Sequence, residues 1–121
     1  RSDRLDALVL GAEDLAVSLG ATRSSSNEEM SYARSQLVMF AAAYDLDAID
    51  LVCNVYHDTQ VVEREARQGA QLGFDGKQVI HPNQIAVVQE AFSPTAQQIQ
   101  RAKQIVEEYE ERMQVGKGAL G

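Results

Sequence analysis

Ala48-Ile49-Asp50-Leu51-Val52-Cys53 is a short, near-continuous apolar run, and the polar stretch Asn54-Val55-Tyr56-His57-Asp58-Thr59 follows it. Such a run reads as a strand in a covered parallel sheet. Asp58 or Thr59 can then cap a helix whose apolar stripe is Val62, Ala66, Gly69 and Ala70, and Gly73 ends it. This is one strand–helix unit, and the pattern repeats on both sides. Upstream, Leu5 to Leu10, bounded by Gly11, predicts a strand buried on both faces. After Gly20 comes the polar loop Arg23-Ser24-Ser25-Ser26-Asn27, where Ser25 with Glu28, or Ser26 with Glu29, offers a capping box. A helix to about Tyr44 follows, with Met30, Ala33, Leu37, Phe40, Ala41 and Tyr44 on one stripe. Downstream, Lys77-Gln78-Val79-Ile80 predicts a third strand, then His81-Pro82-Asn83, with Asn83 as cap, and a short helix through Phe92. Ser93-Pro94 predicts an N-cap and first helical residue. The last helix carries Ile99, Ala102, Val106, Tyr109 and Met113 on one face, and Gly116 to Gly121 reads as a frayed end.

Three strand–helix units and a C-terminal helix imply an α/β fold with parallel strands and right-handed crossovers. A small open sheet and a partial (β/α)8 TIM barrel both fit. A full barrel takes roughly 250 residues, so a chain of 121 residues supplies about half of one. The chain opens without Met and reaches a core element almost at once, which predicts a piece cut from a longer protein. Eleven Lys plus Arg against eighteen Asp plus Glu give a net charge of −7. That balance offers no basic stripe for nucleic acid and none for an anionic membrane surface. One cysteine and two histidines argue against a disulfide framework and a closed zinc site.

In parallel α/β folds the chemistry sits at the C-terminal ends of strands. Three loops qualify here: Gly11-Ala12-Glu13-Asp14, Asn54 to Asp58, and His81-Pro82-Asn83-Gln84. Glu13 and Asp14 suit a hard cation such as Mg²⁺, which needs only one or two protein carboxylates. Neighbours in an extended chain point to opposite faces, which predicts one ligand and one structural partner. The alternative reading is an acid pair that complements a helix dipole. His81 reads as an acid/base group or a hydrogen-bonded wall residue, and backbone groups beside it could bind a ligand. His57 and Asp58 read as a dyad, or as a surface residue and a helix cap. Cys53 reads as a small buried hydrophobe. Arg34 is expected to meet solvent or an acidic neighbour. Gly116-Lys117-Gly118-Ala119-Leu120-Gly121 matches a dinucleotide fingerprint in letters only, since it follows a helix, not a strand.

Gly11-Ala-Glu-Asp14-Leu-Ala, Ser18-Leu-Gly-Ala-Thr22, Ala48-Ile-Asp-Leu-Val52 and above all Gly73 to Gln89, continuing to Phe92-Ser-Pro94, resemble the citrate lyase β-subunit family. The stretch Gly-Lys-Gln-Val-Ile-His-Pro is most similar to the citrate lyase β-like, citramalyl-CoA lyase branch. The resemblance implies a TIM barrel, usually trimeric, of which this chain is the C-terminal half, from the sixth to the eighth strand and the following helix. It implies reversible cleavage of a 3-hydroxyacyl-CoA such as (3S)-citramalyl-CoA to acetyl-CoA and pyruvate. It implies Mg²⁺ held by Asp14, with Glu13 the weaker candidate, and a coenzyme A thioester lined by Val79, Ile80, His81 and Pro82. The family's second metal-binding Glu, its substrate Arg and its acid/base Asp have no counterpart in these residues, so the chain alone is expected to be inactive. A mitochondrial protein is implied if the source is eukaryotic, a cytoplasmic one otherwise. The competing expectation is a non-catalytic half-barrel that binds coenzyme A or self-associates.

Overall fold

The computed structural model describes residues 4–120. Three parallel strands, β1 (Ala7–Val9), β2 (Asp47–Asp50) and β3 (Gly76–Lys77), pair in the order β1-β2-β3. Helices α1 (Ala12–Leu19) and α2 (Ser31–Ala43) lie between β1 and β2, α3 (Thr59–Leu72) between β2 and β3, and α4 (Ile85–Phe92) and α5 (Ala96–Leu120) after β3. Sequential order with parallel pairing is what successive βα units of a barrel wall produce.

All three strands are shorter than their apolar runs. Ala48 and Asp50 of β2 are buried on the side of α2 and α3, where Ala48 packs with Ala41 and Phe74. On the opposite face Val9 is 56% exposed, so β1 is not covered on both sides as expected. The helices cover one face of the sheet and leave the other bare. α3 fulfils its pattern: Val62, Ala66 and Gly69 are buried, Asp58 accepts the Gln60 N–H at 3.0 Å, and Gly73 closes it at φ 103°.

Other local expectations shift. Gly11 to Asp14 is not a loop, because α1 begins at Ala12. The Ser25–Glu28 and Ser26–Glu29 boxes do not form; Glu29 instead accepts from the Ser24 hydroxyl, the Ser24 backbone N–H and Arg23 Nη1. Asn27, at φ 60°, precedes a short 3-10 turn over Glu28–Met30. Phe40 and Tyr44 are exposed, so the α2 stripe narrows to Met30, Ala33, Leu37 and Ala41. Asn83 caps nothing; its own N–H is donated to His81 Nδ1 at 3.1 Å. The cap of α5 is Thr95, whose Oγ1 accepts from Gln98 N–H while Gln98 Oε1 accepts from Thr95 N–H, a reciprocal box. Ser93 Oγ donates back to Gln89 O and closes α4. The apolar face of α5 is exposed, and the helix runs to Leu120 where a frayed end was expected; Gly121 lies outside the described residues. No described helix is long and apolar enough to cross a membrane.

Candidate functional site

The C-terminal ends of the strands open on one side of the sheet, and the first turn of α1 stands there. Glu13 and Asp14 are therefore helical neighbours, not alternating strand residues. They point in different directions because successive helical residues are about 100° apart. Glu13 Oε1 accepts from Arg23 Nε at 3.1 Å and Asn54 Nδ2 at 3.1 Å. Asp14 is exposed and lines a cleft of about 120 Å³ with Gln78, Val52 and Leu10. Both carboxylates lie in the first turn of α1, where they complement its dipole. Hard carboxylate oxygen at a strand end suits Mg²⁺ in donor chemistry. Among the described residues no three His, Cys, Asp or Glu side chains gather. A magnesium shell here would draw on water and substrate beyond Asp14.

Gln78 was not singled out in the sequence. Its Nε2 donates to Leu10 O at 2.9 Å and to Asp50 O at 3.0 Å, so it crosses β2 to reach the end of β1.

The third loop is more internally satisfied than expected. Ile80 N–H donates to Gln84 Oε1 at 2.8 Å, and Gln84 Nε2 donates to Cys53 O at 2.8 Å. Those donors are committed within the protein, leaving Val79 and Ile80 to present apolar side chains. Pro82 starts a 3-10 turn. His81 stacks on Tyr56, with ring centroids 4.8 Å apart and 14° between planes. Because His81 Nδ1 accepts a hydrogen bond, Nε2 carries the proton in the neutral ring. His57 meets the edge of Tyr56 and Asp58 turns away to cap α3, so no dyad forms. Cys53 is buried, and burial pushes its thiol up from the ordinary value.

Beneath the site lies a buried ionic cluster. Arg34 reaches both oxygens of Asp50, with Nε–Oδ1 at 3.0 Å and Nη2–Oδ2 at 2.5 Å, and donates to Gln68 Oε1 at 2.6 Å. Lys77 donates to Leu51 O at 2.8 Å and Glu65 Oε1 at 3.0 Å. Arg34 thus meets an acidic neighbour, in the interior and not in solvent.

A family model described as HpcH/HpaI aldolase/citrate lyase matches residues 1–82. The chain belongs to the HpcH/HpaI aldolase/citrate lyase family. Within this family it is 50% identical over 116 residues to a mitochondrial citramalyl-CoA lyase of Homo sapiens, covering 96% of this chain and 34% of that protein. The fold matches the crystal structure of RipC from Yersinia pestis with a TM-score of 0.76 and 34% identity, over 81% of this chain and 45% of that one. It matches CitE from Mycobacterium tuberculosis, in complex with magnesium, acetoacetate and coenzyme A, with a TM-score of 0.69 and 30% identity, over 85% and 40% of the two chains. The chain thus spans about a third of the length of the curated relatives it matches. Its HpcH/HpaI-type fold is α/β, a partial barrel wall, and the relatives it matches include citramalyl-CoA lyases and citrate lyase β subunits.

Proposed function

We propose that this chain is the C-terminal half of the barrel of a Mg²⁺-dependent acyl-CoA carbon–carbon lyase. The reaction is cleavage of a 3-hydroxyacyl-CoA such as (3S)-citramalyl-CoA to acetyl-CoA and pyruvate. The observation that carries this reading is Asp14: an exposed carboxylate at the strand ends, in a cleft, with its neighbour Glu13 already engaged by Arg23 and Asn54. Asp14 would hold the ion, and Glu13 would set the turn that presents it. When bound, the ion supplies Lewis-acid polarisation of a keto-acid carbonyl. Val79, Ile80, His81 and Pro82 would form the rim for the coenzyme A thioester, with Val79 and Ile80 its exposed apolar part and the Ile80 N–H already engaged by Gln84. The likeness to a mitochondrial relative supports that compartment in a eukaryotic source. A homo-oligomer, trimeric by family resemblance, would cover apolar surface that α5 leaves open.

The full-length protein with (3S)-citramalyl-CoA and Mg²⁺ tests the reading, with acetyl-CoA release as the measurement. Asp14→Asn is expected to lose roughly a hundredfold or more in activity, and Glu13→Ala about tenfold. Asp14→Asn with near wild-type turnover would remove the assignment.

A further inference from the structure

We propose that Gln78 is a positioning residue for the Asp14 carboxylate. The inference rests on Asp14 as the cation-holding group and adds the part that orients it. Lys77 is drawn to the helix side of the sheet by Glu65 and the Leu51 carbonyl, so the next residue, Gln78, projects to the bare side. There its amide nitrogen reaches two carbonyls, Leu10 O just past the end of β1 and Asp50 O at the end of β2. Carbonyl oxygens only accept, so the amide orientation is forced: both N–H bonds are committed and Oε1 is the atom left over. Asp50 O also accepts the Gln78 backbone N–H at 3.3 Å. One side chain therefore ties the ends of β1 and β2 to the residue after β3.

The Leu10 carbonyl that it holds belongs to the peptide leading into Gly11, and Gly11 is the N-cap of α1. Gly11 makes no side-chain cap bond, and a Cβ there would meet nothing within 4 Å. Glu13, engaged by Arg23 and Asn54, holds the first turn of α1 from one side, and the Gln78 amide on the Leu10 carbonyl restrains the peptide that enters it from the other. Asp14 sits in the first turn of that helix and shares its cleft with Gln78. Losing the amide removes one of the restraints on this turn and leaves the Arg34–Asp50 pair in place.

The test uses the full-length protein and Mn²⁺ as the probe, with binding read by water-proton relaxation and no substrate present. Gln78→Met keeps the length of the side chain and removes both hydrogen bonds. The expected result is an Mn²⁺ dissociation constant about tenfold higher, the scale of lost outer-shell support, with the melting temperature lower by no more than a few degrees and KM for the acyl-CoA unchanged. Gln78→Asn, too short to span both carbonyls, should weaken binding in the same direction and serves if the Met variant does not fold. Asp14→Asn is measured alongside. Unchanged Mn²⁺ affinity in Asp14→Asn overturns the site itself. Weakened affinity in Asp14→Asn with wild-type affinity in the Gln78 variants overturns the positioning role alone. A rise in acyl-CoA KM equal to the loss of Mn²⁺ affinity would mark general disorder and also overturn it.

Discussion

Arg34 and Asp50 are 1% and 0% exposed, and neither could be buried alone without a large desolvation cost. Their two-point pairing, with Gln68 and Lys77 completing the ring, is what makes an aspartate tolerable inside β2. The cluster also explains Gly69, because a Cβ there would overlap the Asp50 carboxylate. Gly69→Ala is expected to destabilise the protein by about 3 kcal/mol through overpacking, measured by urea unfolding. A second residue-scale case is Glu29. The Ser24 hydroxyl and then the Ser24 N–H, both donating to it, hold its carboxyl down at about 2. A lowered folded-state value means its contribution is complete above the ordinary carboxylate range and is lost as pH falls through about 2. A carbon-detected NMR titration should show Glu29 still ionised at pH 3.5, and Ser24→Ala should return it toward the ordinary value. A wild-type titration near 4.5 would refute this.

Elements differ in how locally they are specified. α3 carries cap, stripe and stop within its own sequence, and the structure uses all three. Asp58→Ala should therefore cost about 1 kcal/mol in thermal or urea unfolding; no change would mean that packing against α4 alone holds the helix start. α1 carries a stop but little to mark its start. Gly20 closes it at φ 67°, its N-cap Gly11 offers no side chain, its buried face is Ala12 and Ala16, and its acid pair reads equally well as a loop. The strands end before their apolar runs for a related reason. Beyond Asp50 and Lys77 backbone pairing is reduced to single bonds such as Gln78 N–H to Asp50 O, and side chains of Gln78, Gln84 and Lys77 satisfy the other carbonyls at Leu10, Cys53 and Leu51.

For the whole molecule the contrast is between a packed wall and an arm. The core runs as three clusters between the sheet and α1 to α4, joined by the ionic cluster. α5 contributes no residue to any of them among the described residues, and its apolar stripe of Ile99, Val106, Tyr109 and Met113 is exposed. A helix without tertiary packing is marginal in water even when capped. Hydrogen exchange on this chain should find α5 amides exchanging well before those of β2 and α3. Equal protection would show that α5 is covered, by a second copy of the chain.

The sequence by itself determined the order of the three strands and of the helices from α2 onward, the α3 cap and stop, the burial of Cys53 and the position of the acid pair near a strand end, but not α1. These are local properties, written in periodicity and in residues that act on their immediate neighbours. The resemblance carried by Gly73 to Gln89 added the family. Only the tertiary structure decided which of the two acids is engaged, because Arg23 and Asn54 reach Glu13 from 10 and 41 residues away. Only it showed that Arg34 is an interior charge, that His57 and Asp58 part company, and that Gln78 spans 68 residues to hold Leu10. Long-range hydrogen bonds and ion pairs depend on which strands end side by side, and a pattern of apolar spacing carries no record of that.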